Sequence, residues 1–278
     1  MVTISPLYNK IEVIFRLRLL ETFVDCAFAG LRTNFWQELI ELQAAIYRLD
    51  SHFEHNKEIA DWFTGQCWME IDSRVVDLSG GKSDAGFARD IHSYEKIERS
   101  LRGHWRESLP NLESYYYFKT CDVRLCRKLI LAQDKAKMTQ ADRRAWELLD
   151  LIGEIFDDLA DFHEDLDTLN GNRFALNVLA QGARATARAY RELVERINNR
   201  AQRVEMADTG RLKSSGMLTA LFGCIELVSR LLNALTIDEA MLDRLVGTSM
   251  LLTLGGAKCL AISAPSNSEI ERFLHNAA

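Results

Sequence analysis

The sequence predicts an all-α protein, a single domain of about ten helices. Apolar residues recur every three to four positions along nearly the whole chain, and no alternating strand pattern persists. Only three prolines, Pro6, Pro110 and Pro265, interrupt 278 residues, which favours long helices over many short strands. No linker rich in Pro, Gly or Ser divides the chain, and no internal repeat is visible. With 47% hydrophobic residues, there is ample material for a sizeable core.

Periodicity places the helices at about 8–31, 34–63, 67–78, 86–106, 111–133, 139–169, 174–206, 214–235, 238–262 and 267–276. The residues between them suit the breaks. Ser79-Gly80-Gly81-Lys82-Ser83 reads as a flexible loop, and Pro110 with Asn111 starts the fifth helix. Thr139-Gln140-Ala141-Asp142 matches a capping box with Asp in place of Glu or Gln. Asn170-Gly171-Asn172 is a turn, and Asp208-Thr209-Gly210 closes the helix before it. That helix is Arg-rich (Arg184, Arg188, Arg191, Arg196, Arg200, Arg203), which reads as a solvated face with partners such as Glu192–Arg196.

Composition excludes several classes. A net charge of −6 argues against nucleic-acid binding, which needs clustered positive charge. Arg16, Arg18 and Glu21 interrupt the apolar run 13–24, so a signal peptide is not expected. The stretch 246–262 comes nearest to a membrane span, but Gly247, Gly255, Gly256 and Lys258 make it read as a closely packed buried helix. The six cysteines are scattered without a CxxC pair, as expected for reduced thiols in a cytoplasmic protein.

The residues richest in chemistry lie between 146 and 172. Nine carboxylates occur there (Glu147, Asp150, Glu154, Asp157, Asp158, Asp161, Glu164, Asp165, Asp167) with no Lys or Arg among them. At about 100° per residue, Glu154, Asp157, Asp161 and Asp165 fall within roughly 80° of one helix face, flanked by Asp150 and Asp158. Exposed faces usually mix signs, because like charges four residues apart repel by a few tenths of a kcal/mol. Glu154–Asp158, Asp157–Asp161 and Asp161–Asp165 are all such pairs. Their charge calls for Arg or Lys from another helix or for a divalent cation, and Mg²⁺ suits a ladder of aspartates.

The run Glu154-Ile155-Phe156-Asp157-Asp158-Leu159-Ala160-Asp161-Phe162-His163-Glu164-Asp165, followed by Asn172-Arg173-Phe174, resembles the second aspartate-rich motif of the squalene/phytoene synthase group. That group has the class I isoprenoid synthase fold, a helical bundle around a central cavity. Glu154 stands at the motif's Gln position and Asp157 at its Asn position. Asp161 and Asp165 match its paired aspartates, and Arg173 its Arg. Tyr115-Tyr116-Tyr117-Phe118-Lys119-Thr120-Cys121 resembles the group's Tyr-rich helix, and Tyr115 precedes Asp161 by 46 residues, close to the family spacing.

The resemblance implies a Mg²⁺-dependent synthase that ionises a prenyl diphosphate for cyclisation or prenyl coupling. Asp157, Asp161 and Asp165 would be metal ligands with Asp158 and Glu154 beside them. Arg173, with Arg124, Arg127 or Lys119, would hold the diphosphate, and Tyr115 would lie near the carbocation. The first aspartate motif is matched best by Asp50 and Glu54, then by Asp72 and Asp77. Lys119, Asp122, Arg124 and Arg127 stand where the family has small residues that admit a second prenyl chain, which weighs against coupling. A peripheral membrane contact and a homodimer are both compatible with such an enzyme. The competing readings are a dimetal-carboxylate bundle and a non-enzymatic helical interaction module. For the former, His163 lies about 180° from the ridge and the Glu-xx-His spacing is missing.

Overall fold

A computed structural model describes residues 6–20, 33–55, 65–104, 111–133, 140–167, 172–207 and 215–254. Every regular element among them is an α-helix, and there is no strand. In chain order these are α1 (Pro6–Leu17), α2 (Thr33–His55), α3 (Gln66–Ser79), α4 (Ala85–His104), α5 (Leu112–Lys119) and α6 (Cys121–Gln133), then α7 (Gln140–Ala160), α8 (Phe162–Asp165), α9 (Arg173–Gln181), α10 (Ala183–Ala207), α11 (Ser215–Ala234) and α12 (Glu239–Leu254). The all-α expectation is met. The tenth predicted helix, 267–276, lies outside the described residues, as do the Thr139 start of the capping box and the Asp208-Thr209-Gly210 stop.

Three predicted helices are each divided in two. The stretch 111–133 breaks at Thr120, 139–169 at Asp161, and 174–206 at Gly182. The causes differ. Gly182 has φ 83° and ψ 159°, a conformation reserved for glycine, and its N–H closes α9 on the Val178 carbonyl. Asp161 only relaxes to φ −86°, ψ 0°, so α7 and α8 keep nearly one direction. The bonds Asp161 N to Asp157 O and Asp165 N to Asp161 O, both 2.9 Å, carry the ladder across that bend.

The helices gather into two compact units. One comprises residues 1–95 and 118–143, the other 96–117 and 144–278. In the first, α1, α3 and α6 pack against α2, and α3 also packs on α6. Its core is built from Ile11 and Phe15, Leu39 and Ile40, Ile71 and Val75, and Leu129 and Ile130. These sit at the three-to-four spacing that predicts the helices. Arg74 donates to Glu41 at 2.7 Å and to Glu70 at 3.2 Å, tying α2 to α3 at their polar margin.

In the second unit α10 pairs with α11, and α9 packs on α8, α10 and α12. Phe174 meets Phe162 edge-on at 5.3 Å and Tyr190 at 4.9 Å, so aromatic rings join α8, α9 and α10. Arg191 donates to the Leu232 carbonyl in the last turn of α11, where carbonyls lack helical partners and cations are favoured. The stretch 246–262 lies partly outside the described residues; among the described residues Met217–Ala234, within α11, is the one apolar stretch of membrane-spanning length. It is long and apolar enough to cross a membrane by length and composition alone, as a core helix also can be, and it carries the Glu226–Arg230 pair.

The Gly182 conformation generates a test. No atom lies within 4 Å of a side chain built there, so Gly182→Ala adds backbone strain alone. Unfolding by urea should show a loss of about 1–3 kcal/mol. Unchanged stability would mean that the break between α9 and α10 tolerates an ordinary residue.

Candidate functional site

The acidic ridge does not simply face water. Asp150, Glu154 and Asp158, spaced four apart on α7, are 1%, 8% and 3% exposed. Asp157 and Asp165 are half-buried, and Asp161 is exposed. The inner half of the ridge thus lies in the protein interior and the outer half at its margin. Burying carboxylates costs several kcal/mol each unless hydrogen bonds or opposite charge compensate.

Asp158 shows how that compensation is made. Its Oδ2 accepts the Tyr116 hydroxyl at 2.6 Å and the backbone N–H of Arg173 at 2.9 Å. Arg173 is the first residue of α9, so its N–H is one of the donors that a helix start leaves unsatisfied, and the helix dipole favours a carboxylate there. Tyr116 and Tyr190 hydroxyl oxygens are 2.7 Å apart. Tyr116 has given its single proton to Asp158, so the Tyr190 hydroxyl is the donor of the pair. A directed chain therefore runs from Tyr190 on α10 through Tyr116 on α5 to Asp158 on α7.

The Arg173 side chain, 1% exposed, lies with its guanidinium 5.4 Å from the centre of the Tyr115 ring, within cation–π range. Burial draws the Arg173 pKa below its ordinary value, opposed by the field of the tyrosines and Asp158. Asn172 precedes it at the N-cap of α9. Its Oδ1 accepts from Ala175 N at 3.0 Å, and its Nδ2 donates to the Asp158 carbonyl at 2.7 Å and to Asp165 Oδ2 at 2.9 Å.

Of the residues singled out in the sequence, Tyr115, Glu154, Asp157, Asp158, Asp161, Asp165 and Arg173 thus belong to one unit. Tyr115 and Arg173 touch, and Asp158 and Asp165 are linked through Asn172. Lys119, Arg124 and Arg127 belong to the other unit, where Arg124 bonds to Asp90 at 3.1 Å and Arg127 is buried. Asp50 is half-buried on α2 in that same unit, and Glu54 sits in the last turn of α2 with its side chain outside the described residues. Asp72 accepts from Ser83 at 3.3 Å, and Asp77 is exposed. Among the described residues no group of three or more His, Cys, Asp or Glu side chains is arranged to hold a metal ion.

Three members of the network escape a reading of the sequence. Nothing in the tyrosine triplet singles out Tyr116, yet it is fully buried and bonds across 42 residues to Asp158. Asn172 is visible only as a turn residue, although its place before Arg173 is an N-cap signal. Tyr190 leaves no signal, being a lone aromatic among arginines. Comparisons of the chain with protein-family models, with curated proteins and with solved structures find no match.

The buried tyrosines make stability depend on alkaline pH. Burial first, then the charge of Asp158, pushes the Tyr116 phenol well above its ordinary value of 10.0, and burial with Asp158 does the same for Tyr190. A phenol with a raised folded-state pKa holds its proton more tightly when folded, so its contribution is complete below about pH 10 and is lost as pH rises further. Urea midpoints should fall above about pH 10. The Tyr116→Phe, Tyr190→Phe double variant should fall less steeply; an equally steep fall would remove these phenols as its cause.

Proposed function

We propose that the protein is a Mg²⁺-dependent class I isoprenoid synthase that ionises a prenyl diphosphate. One observation carries the reading: the Arg173 guanidinium rests over the Tyr115 ring, and Asn172 links its backbone to the acids of the aspartate-rich helix. Tyr115, Arg173 and the aspartates belong to the stretches that resemble the squalene/phytoene synthase motifs. The inward turn of Asp150, Glu154 and Asp158 also favours a functional role over a solvated face.

The donor set at Asp157, Asp161 and Asp165 is all carboxylate oxygen on accessible or half-buried side chains. Carboxylate oxygen suits Mg²⁺, which takes one or two carboxylates and completes its shell with water and phosphate oxygens, so one or two of these side chains would serve. Bound there, Mg²⁺ would supply Lewis-acid stabilisation of the departing pyrophosphate. Arg173 is the fixed cation that would take up charge on the same leaving group, with the charge amplified by its dry surroundings. Tyr115, beside it, would offer a π face to the allylic cation. The aromatic contacts among Phe162, Phe174 and Tyr190 give the same unit an apolar interior, as a reaction through a carbocation would need.

A helical scaffold without catalysis is the second reading, favoured by the purely structural bonds of Asp158, which caps α9. Incubation with C10 to C20 prenyl diphosphates and Mg²⁺, followed through pyrophosphate release and product analysis, separates the two. Turnover of at least one substrate is expected, reduced about a hundredfold or more by Asp161→Ala and by Arg173→Gln. Failure of every substrate to lose pyrophosphate would remove the synthase reading and leave the scaffold.

A further inference from the structure

We infer that Asn172 is a positioning residue that locks a metal-binding carboxylate, Asp165, to the diphosphate-binding Arg173; this rests on the synthase reading above. Arg173 is followed along α9 by Phe174 and Ala175, and the Asn172 carbonyl oxygen of the side chain caps that helix through Ala175 N at 3.0 Å. The amide end of the same side chain reaches back to the preceding acidic helix. It donates to the Asp158 main chain at 2.7 Å and to the Asp165 carboxylate at 2.9 Å. One planar group thus spans the gap between the end of the acidic ridge and the start of α9, and with 1% exposure it does so shielded from water.

The consequence for binding is specific. A carboxylate on a short segment such as α8 can rotate, and an amide donor on Oδ2 fixes its plane. Outer partners of this kind ordinarily change metal affinity ten- to a hundredfold. Asp158 reinforces the arrangement from the other side, since its carboxylate holds the N–H of Arg173 while its carbonyl accepts from Asn172. The position of the Asp165 carboxylate and that of the Arg173 backbone are therefore set together. Asn172 itself need not touch metal or diphosphate.

The test separates the amide's positioning role from its capping role. Asn172→Ser keeps a capping oxygen but loses both amide bonds. Thr248→Val is the control. Thr248 donates to the Leu166 carbonyl at 2.7 Å beside Asp165, so its loss disturbs the same turn without touching a carboxylate. Melting temperature is followed as Mg²⁺ is titrated at fixed inorganic pyrophosphate. Both variants should melt a few degrees lower without ligand. The Mg²⁺ midpoint should rise about tenfold or more in Asn172→Ser and stay within about twofold of wild type in Thr248→Val. Asn172→Thr, the other hydroxyl cap, replaces the serine variant if that one does not fold. A wild-type midpoint retained in the capped variant, or an equal rise in Thr248→Val, would overturn the inference while leaving the synthase reading intact. Absence of any Mg²⁺–pyrophosphate shift in the wild-type protein would instead count against that reading.

Discussion

The carboxylate of Asp158 is the point on which the second unit is assembled. It is 3% exposed, and a carboxylate so placed is tolerated only where donors replace its lost water. The donors come from three separate stretches of chain: the Tyr116 hydroxyl on α5, the first N–H of α9, and, one step removed, the Tyr190 hydroxyl on α10. Loss of any one leaves a polar group unsatisfied where no solvent can substitute. Hydrogen bonds to a charged acceptor contribute about 1.5–3 kcal/mol each, and the unmade bond costs a comparable amount. The arrangement is cooperative for that reason, and it places the helix ends rather than merely cementing them.

That same constraint explains how a row of like charges survives on one helix. The ridge is divided by depth. Asp158 is satisfied by fixed donors, Asp165 by the Asn172 amide, and Asp167 by an exposed bidentate pair with Arg244 at 2.5 and 3.1 Å. Arg173 contributes its main-chain N–H to Asp158 while its guanidinium rests on Tyr115, so one residue serves the acid and the aromatic ring at once. The bend at Asp161 matters here too. It keeps the backbone ladder intact while allowing Asp165 to turn toward the start of α9.

Sequence periodicity was sufficient for element type because each helix buries a stripe of one handed spacing, and that stripe is written locally. It failed at breaks that leave the pattern undisturbed. The apolar rhythm runs through Thr120, Asp161 and Gly182 without a slip, so only the left-handed backbone at Gly182 and the relaxed turn at Asp161 reveal the divisions. Caps were legible where they are local: Asn111 accepts from Glu113 N at 2.9 Å at the start of α5, in keeping with the Pro110-Asn111 signal. The pairing of Tyr116 with Asp158 was not legible, since nothing in a triplet of tyrosines marks which ring turns inward.

By itself, then, the sequence determined that the chain is helical, where most helices begin, and which stretch carries an abnormal concentration of one charge. Those properties depend on neighbours within a few positions, through spacing, capping and local repulsion. Only the tertiary structure decided which carboxylates leave water, that Asp158 is held by Tyr116 and the start of α9, and that Arg173 lies over Tyr115. The physical reason is desolvation. Whether a carboxylate is a surface charge or a buried acceptor depends on donors supplied from 15 to 42 residues away, and their arrival is a property of the fold.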